Sequence, residues 1–313
     1  MGPSEENFAF IVEDGFTMQA FSSAIEVLRV AQKLGAGNST SYCVASLDDG
    51  PVAASNGIEI LPTCEIDRLP INATRVIVAG AGAARRANSE MIKRLRRWAR
   101  AGQSIWAISS GVVRLAQAGL IDGRTVCAHW EDVPYLKENH PKVDVSTSLF
   151  IMDTKHSTCS GGGAAADLML KYVHDNCPDG MVEDIASCLM MEGVRDGKLK
   201  QTYPAQLRYV TANRQVFAAI QLMEANRFDA LSLFEIARRS GVSQRQLERL
   251  FQSEFQKTPG AIYKELRMSE ARQEVLMGRR SIADIALDFG FEPAQFSKVY
   301  RKVFGVLPSA DRR

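Results

Sequence analysis

The sequence lacks the long apolar runs and the leader pattern that mark membrane and secreted proteins. No uninterrupted apolar segment reaches the ~18 to 20 residues that a membrane span needs. The first six residues, Met-Gly-Pro-Ser-Glu-Glu, do not have the basic and then apolar pattern of a secretory signal. We therefore expect a cytoplasmic protein that does not enter a membrane.

Cysteine is sparse and its spacing is irregular. The six cysteines lie at positions 43, 64, 127, 159, 177 and 188, and none forms a Cys-x-x-Cys pair. This spacing argues against a zinc site. In a reducing compartment such cysteines are free thiols more often than disulfides. We expect neither a metal nor a cofactor.

The charge is unevenly distributed along a chain of ordinary globular composition. The 313 residues, 46% hydrophobic and 24% charged, are enough for two domains. Residues 205–313 carry 18 Lys and Arg against 12 Asp and Glu, a net charge of +6, whereas residues 1–204 carry 20 against 24, a net charge of −4. A basic terminal domain on an acidic body is typical of a module that binds phosphates.

The pattern of apolar residues divides the chain into an α/β part and a helical part. Residues 8–180 alternate between short apolar runs and segments of helical periodicity, which predicts a mostly parallel sheet with helices on both faces. The polar residues that follow, with Gly197 and Pro204, indicate a linker. The predicted parts are an α/β domain over residues 1–195, a linker over 196–210 and an all-α domain over 211–313.

Two segments of the helical part, residues 231–251 and 280–300, share one layout. Each has a short helix, then a glycine (Gly241 or Gly290) where the chain reverses, because glycine adopts the left-handed conformation at least cost. A second helix follows each glycine. This is the layout of two helix-turn-helix units, in which the second helix enters the major groove of DNA.

The second helix of each unit carries the candidate DNA-binding residues. Arginine pairs bidentately with guanine and glutamine with adenine. A solvated helix face is the alternative for any one of these side chains, but two matching turns 49 residues apart are hard to obtain by chance. A spacing near ~34 Å would let both helices enter successive major grooves. The predicted DNA-binding residues are Ser243, Gln244, Arg245, Gln246 and Arg249 in the first unit and Gln295, Lys298 and Arg301 in the second.

This region resembles the AraC/XylS family over about 100 residues, from Val216 to Arg312. The matching pieces include residues 243–251, 266–272, 281–286 and 296–301. The resemblance implies a bacterial transcription regulator, usually an activator that contacts RNA polymerase. Pro293 and Ala294 stand where polar residues are more usual in the family, which points to weaker base reading by the second unit.

The α/β part contains one segment of chemical interest, Ala107-Ile-Ser-Ser-Gly-Val-Val-Arg-Leu-Ala116. A buried strand runs directly into a helix through Ser109, Ser110 and Gly111, and such an elbow exposes one side chain above the strand end. Backbone N–H groups at the start of the helix would form an anion pocket or an oxyanion hole. His129 lies on a later segment that could come close to this elbow.

Residues 8–175 resemble the PfpI/ThiJ-like, class I glutamine amidotransferase-like fold. In enzymes of this fold the elbow residue is a cysteine, with a glutamate and often a histidine nearby. Here Ser109 takes that place, and a serine needs a base to become a nucleophile. A PfpI-like hydrolase or amidase, with Ser109 as nucleophile and His129 as base, is the alternative. The replacement of cysteine favours a protein that is not an enzyme.

The fusion of this fold with an AraC-type domain resembles the GlxA-like regulators. The resemblance implies that the first domain senses a ligand and dimerises. Residues 129–131 and 158–163 look most like members that sense small amines such as glycine betaine, dimethylglycine, carnitine or arginine. An ammonium group prefers an aromatic face and a carboxylate. The candidate ligand-binding residues are Phe16, Glu26, Ser109, Ser110, His129, Trp130 and Glu131.

Two of these candidates have plain structural alternatives, since Phe16 is also a typical core residue and Glu26 can pair with Arg29 on one helix face. A constitutive DNA-binding protein whose first domain only dimerises is a further hypothesis. The expected partners are double-stranded promoter DNA, RNA polymerase, a small amine effector and a second copy of the chain.

Overall fold

A computed structural model describes residues 7–86, 88–191, 193–201, 209, 211 and 213–312, and the structural statements below concern these residues. The chain divides into two compact units, Met1–Gln201 and Thr202–Arg313. The first is α/β and the second is helical, which confirms the predicted fold class. Every helix of the described ranges is too short or too polar to span a bilayer.

A parallel sheet forms the centre of the first unit. Its described strands run in the order β2-β1-β5-β6-β10-β9, and neighbours are parallel except for β9, which is antiparallel to β10 at one edge. Two small separate sheets pair β3 with β4 and β7 with β8. The strands are β1 (Phe8–Val12), β2 (Tyr42–Ala45), β3 (Val52–Ala53), β4 (Glu59–Ile60), β5 (Thr74–Ala79), β6 (Ile105–Ser109), β7 (Thr125–Cys127), β8 (Asp144–Ser146), β9 (Phe150–Ile151) and β10 (Thr158–Cys159).

The helices of the first unit cover both faces of this sheet. They are α1 (Met18–Lys33), α2 (Ser89–Arg100), α3 (Gly111–Gln117), α4 (Val133–Asn139), α5 (Ala164–Asn176) and α6 (Met181–Cys188). Strand β1 is buried on both sides because its residues alternate between two cores. Ala9 and Ile11 pack with the apolar residues of α2 and α3. Phe8 and Phe10 contact aromatic rings on the opposite side, namely Phe21, Tyr42, Trp106 and Tyr172.

The first unit extends further along the chain than the sequence predicts. The predicted linker begins at residue 196, but residues 196–201 belong to the first unit. The N–H of Leu149 donates to the carbonyl of Leu199 at 2.8 Å, and the N–H of Gln201 donates to the carbonyl of Thr147 at 2.9 Å. Residues 197–201 are called the strap below. Of the rest of the predicted linker, only Tyr209 lies within the described residues.

The second unit contains two small cores joined by one long helix. The described helices are α7 (Arg214–Ala225), α8 (Leu233–Arg239), α9 (Gln244–Phe255), α10 (Pro259–Met277), α11 (Ile282–Asp288), α12 (Pro293–Phe304) and α13 (Pro308–Asp311). The first half of α10 packs with α7, α8 and α9, and its second half packs with α11 and α12. With 19 residues, α10 is about 28 Å long.

Arg267, near the middle of α10, connects the two cores through its guanidinium group. It donates to the carbonyl of Arg227 at 2.9 Å and to the carbonyl of Phe289. Its charge also lies 5.2 Å from the ring centre of Phe291. These contacts add to the continuous helix in fixing the two helix-turn-helix units relative to each other.

Candidate ligand pocket and nucleic-acid interface

The strand-to-helix elbow predicted from the sequence is present at the end of β6. Ser109 has a φ of +55°, a conformation that is uncommon for residues other than glycine. A Cβ atom on Gly111 would lie 2.2 Å from the carbonyl oxygen of Ile77, and one on Gly161 would lie 2.8 Å from the Cβ of Ser109. Both positions therefore require glycine, and the glycine loop 161–163 closes against the elbow.

The elbow serine has a hydroxyl neighbour rather than a base. The Oγ of Ser109 lies 3.4 Å from the Oγ1 of Thr17, and no histidine hydrogen-bonds to it within the described residues. His129 is instead occupied with Glu131, whose N–H donates to Nδ1 at 3.4 Å and whose Oε2 lies 3.5 Å from the same nitrogen. The arrangement of serine and base that the hydrolase alternative requires is not formed.

A buried hydrogen bond joins the elbow to the segment that carries His129. The hydroxyl of Ser110 donates to Oδ2 of Asp132 at 2.8 Å, and both residues are buried. Burial raises the pKa of Asp132 to about 6; the hydrogen bond from Ser110 opposes this shift and the charge of Glu131 adds to it. The bond holds residues 129–131, called the sensor loop below, beside the elbow.

The sensor loop presents an aromatic pair and a carboxylate. The ring centres of His129 and Trp130 are 5.2 Å apart, with the planes tilted by 40°. The Glu131 side chain is 48% exposed. Burial lowers the pKa of the His129 ring, which keeps it neutral at pH 7. The exposed charge of this loop is therefore negative, which suits a cationic ligand.

Two predicted ligand residues do not join this group. Phe16 is fully buried and packs against Phe21, with ring centres 5.4 Å apart. Glu26 lies on the exposed side of α1, where both carboxylate oxygens accept hydrogen bonds from Arg29 at 2.6 to 3.0 Å. Phe16 is a core residue and Glu26 is neutralised by its neighbour, so we do not place either in the pocket.

A buried ion pair anchors the helix after the elbow, and the sequence analysis does not predict it. Arg114 on α3 donates to both carboxylate oxygens of Glu13, at 2.9 and 3.0 Å, and both side chains are almost inaccessible. The same guanidinium donates to the carbonyls of Ala83 and Arg86. Glu13 follows β1 directly, so this pair fastens α3 to the end of β1.

The six cysteines all lie within the described residues, each as a thiol outside any disulfide. Cys127 donates to the carbonyl of Ser148 at 2.8 Å, and burial raises the pKa of its thiol to about 12. Burial likewise raises the pKa of Cys159 well above its usual value. Neither forms a thiolate at neutral pH. Within the described ranges, no group of three acidic, histidine or cysteine side chains is arranged to hold a metal ion.

The first helix-turn-helix unit has the predicted turn, and its second helix begins with a capping box. Gly241 has a φ of +77° between α8 and α9. The Ser243 hydroxyl accepts a hydrogen bond from the N–H of Gln246, and Oε1 of Gln246 accepts one from the N–H of Ser243 at 3.0 Å. This capping box uses both side chains, whereas the predicted DNA-binding residues Gln244, Arg245 and Arg249 are exposed, and the Gln244 amide donates to the carboxylate of Glu248 at 3.1 Å.

The second unit has the same turn but a different helix start. Gly290 has a φ of +67°, and α12 begins at Pro293 without a side-chain cap from Glu292. Phe296 and Tyr300, on one face of α12, are fully buried. The opposite face of α12 exposes the predicted DNA-binding residues Gln295, Lys298 and Arg301.

Comparison with known proteins matches each unit separately. The sequence profile of the DJ-1/PfpI family matches residues 7–175, and the profile of a helix-turn-helix domain matches residues 236–313. A solved structure, an AraC family transcriptional regulator from Pseudomonas putida, is similar with a TM-score of 0.53. It is 24% identical and covers 59% of this chain and 99% of its own, so it shows the fold alone.

Two curated relatives extend over nearly the whole chain. The HTH-type transcriptional regulator CdhR of Pseudomonas aeruginosa is 34% identical over 98% of this chain and 91% of its own. The HTH-type transcriptional regulator GbdR of the same species is 33% identical over 98% and 84%. Such relatives are DNA-binding regulators, which agrees with the expectation that this PfpI-like domain is not an enzyme. The chain belongs to the AraC-family HTH-type transcriptional regulators that carry a DJ-1/PfpI-type N-terminal domain.

Proposed function

We propose that the first unit binds a small amine that also carries a carboxylate, and that binding controls transcription through the second unit. The observation that supports this most directly is the hydrogen bond between Ser110 and Asp132, which holds the sensor loop beside the elbow. Asp132 directly follows the residues that carry the aromatic pair and the Glu131 carboxylate, and Ser110 directly follows Ser109.

The two ends of such a ligand need different partners. The cationic end fits the rings of His129 and Trp130 together with the carboxylate of Glu131, because cations are attracted to aromatic faces and to negative charge. The carboxylate end fits the hydroxyls of Ser109 and Thr17. Glycine betaine, dimethylglycine, carnitine and arginine all have this pair of charged ends.

A thermal-shift measurement on the full chain tests this proposal. Glycine betaine, dimethylglycine, L-carnitine and L-arginine are added separately, and at least one should raise the melting temperature. A ligand at 100 times its Kd stabilises the folded state by about 2.7 kcal/mol. As a matched control, 3,3-dimethylbutanoate has the shape of glycine betaine without the positive charge and should give no shift.

Variants then locate the site. Trp130→Ala and Glu131→Gln should each reduce the shift, whereas Glu138→Gln, an exposed carboxylate on α4, should not change it. If none of the four amines stabilises the chain, or if Trp130→Ala and Glu131→Gln respond like the wild type, the proposed ligand site is wrong.

We further propose that the regulator acts as a homodimer and activates transcription by contacting RNA polymerase. Two copies of a double helix-turn-helix unit can read a repeated site, which the resemblance to AraC-type activators supports. Sedimentation of the chain with a duplex selected from a random-sequence library should show two protein copies per duplex. Transcription with purified polymerase from a promoter carrying that site should rise when protein and ligand are added, and a fall would indicate a repressor.

A further inference from the structure

The last residue of the first unit has a side chain that is buried and fully hydrogen-bonded. Gln201 is 8% exposed. Its Nε2 donates to the carbonyl of Ala128 at 2.7 Å and to the carbonyl of Ser148 at 3.1 Å, and its Oε1 accepts from the N–H of Trp130 at 3.0 Å. A glutamine buried with three such bonds has a defined position, because each bond is costly to leave unmade.

These bonds connect two parts of the molecule that have different tasks. On one side they hold Ala128, which directly precedes the sensor loop, and Trp130, which lies within it. On the other side Gln201 ends the strap, and Thr202 is the first residue of the second unit. Any movement of the sensor loop that breaks the bond from the Trp130 N–H therefore acts directly on the chain that leads to the DNA-binding helices.

The rest of the strap is held at the margin of the first unit. Its backbone pairs with residues 147–150, with an antiparallel bridge between Ser148 and Lys200 and a bond from Leu149 to Leu199. Edge pairings of this kind open more easily than central strands. If the strap detached, its five residues would separate the rest of the first unit from Thr202 by up to about 17 Å of extended chain.

We propose that Gln201 is the positioning residue that couples ligand binding in the first unit to DNA binding by the second. The inference rests on the proposed function, since it concerns regulation of the same site. A cation against the Trp130 ring immobilises the sensor loop, and the fixed Trp130 N–H keeps Gln201 and the strap in place. Without ligand the strap detaches more often, and the second unit moves over a wider range.

The test uses the full-length Gln201→Met variant, which keeps the length of the side chain but removes its three hydrogen bonds. Gln201→Glu is a second variant, because its carboxylate would face two carbonyl oxygens. Val194→Ala is the matched control, since Val194 is an exposed, uncharged residue three positions before the strap. Far-UV circular dichroism first establishes that each variant is folded.

The first readout needs no ligand. Hydrogen–deuterium exchange should be faster at the Trp130 amide and in the strap of Gln201→Met and Gln201→Glu than in the wild type. Their affinity for the selected duplex should differ from the wild-type value by more than threefold, and Val194→Ala should match the wild type in both measurements. Unchanged exchange, or unchanged DNA affinity, in both Gln201 variants would overturn the coupling role.

The second readout adds glycine betaine, L-carnitine or L-arginine. In the wild type the amine should change DNA affinity by about 5- to 150-fold, the usual range for coupled sites. In Gln201→Met the change should fall below twofold, although the amine still raises the melting temperature.

The two readouts separate failure of this inference from failure of the proposed function. An equal response of the wild type and Gln201→Met to the amine would overturn the coupling role and leave the ligand site standing. A wild type that responds to none of the amines, with Gln201 variants that still alter exchange and DNA affinity, would refute the proposed ligand class and support the role of Gln201.

Discussion

At the scale of single residues, the buried carboxyl of Asp132 makes the stability of the first unit depend on pH. Its pKa is raised from 3.8 to about 6, so the folded state holds this proton more tightly than the unfolded state does. The stabilisation from proton binding is complete below pH ~3.8 and is lost as the pH rises through ~6. Above that range the buried carboxylate lowers the free energy of unfolding.

Asp132→Asn should therefore become more stable relative to the wild type as the pH rises. The amide keeps an acceptor for the Ser110 hydroxyl but carries no charge. From pH 4.5 to pH 7 the difference in unfolding free energy should grow by about 2 kcal/mol. Tryptophan fluorescence during urea unfolding measures it, because all three tryptophans lie in the first unit. Glu138→Gln, an exposed change, should show no such trend, and a flat difference for Asp132→Asn would contradict the prediction.

Arg245 is the residue for which we expect the largest loss of DNA specificity. It lies in the first turn of α9, is exposed, and has the guanidinium fork that recognises guanine. Arg245→Ala should weaken binding to the selected duplex by about 1 to 3 kcal/mol and relax selection at one base pair. Fluorescence anisotropy against a panel of single-base variants measures both effects.

The matched control for Arg245→Ala is Arg100→Ala, an exposed arginine on α2 of the first unit. It removes the same charge without altering the recognition helix and should change affinity little. A loss for Arg245→Ala that is equal across all base variants would assign Arg245 to the phosphate backbone instead.

The roles of some residues of the candidate pocket can be predicted from the sequence, and those of others cannot. The elbow is predictable because a buried strand, two serines and Gly111 are adjacent in the chain. The roles of Asp132 and Gln201 are not, because their partners lie 22 and 71 residues away in sequence. A polar residue whose partner is distant in sequence does not produce a periodic pattern in the chain, so its role cannot be predicted from local spacing.

At the scale of elements, the elbow depends on the close approach of β5 to the start of α3. A Cβ atom at position 111 would overlap a backbone carbonyl oxygen on β5, which cannot move aside as a flexible side chain can. Gly111→Ala should therefore lower the free energy of unfolding by more than about 2 kcal/mol, towards the upper end for overpacked sites. Urea unfolding followed by tryptophan fluorescence measures the loss.

Gly163→Ala is the control for this change, since Gly163 likewise lies where a helix of the first unit begins. It has a φ of −66°, and its added Cβ would meet only the end of the Arg195 side chain at 3.3 Å. Its effect should stay within about 1 kcal/mol. Equal losses for the two variants would mean that contact with β5 does not limit the elbow.

The long elements could be predicted because their apolar residues are clearly patterned. Strands β1, β5 and β6 are short, mostly apolar runs that are buried almost throughout, whereas the buried residues of α1 recur with helical spacing. Lys198 and Lys200 make the strap polar, so its sequence predicts a linker. Its placement depends on backbone hydrogen bonds to residues 147–150 and on the buried side chains of Leu199 and Gln201, and such long-range contacts leave no local pattern in the sequence.

At the scale of the whole molecule, the second unit combines a rigid scaffold with a surplus of positive charge. Helix α10 and Arg267 hold two recognition helices on one body, and each recognition helix exposes cationic side chains. The net charge of +6 on residues 205–313 stands against −4 on the rest. The electrostatic attraction to DNA phosphates is thus concentrated in the second unit, which carries the two helix-turn-helix units.

This distribution predicts steep salt dependence of DNA binding. Each neutralised phosphate releases counterions, so the logarithm of the binding constant falls linearly with the logarithm of the salt concentration. With about 6 to 10 such contacts, affinity should fall by about 10³ to 10⁵ between ~50 and ~200 mM salt. Lys298→Ala should make the slope shallower by about 1 if Lys298 contacts a phosphate.

Arg100→Ala again serves as the control, because it removes a positive charge from the acidic unit and should leave the slope unchanged. The comparison distinguishes a local interface from a general effect of net charge, since both variants lower the charge of the chain by one. Equal changes of slope in the two variants would place the attraction in the overall charge. A flat plot for the wild type would contradict a phosphate-binding second unit, whatever its fold.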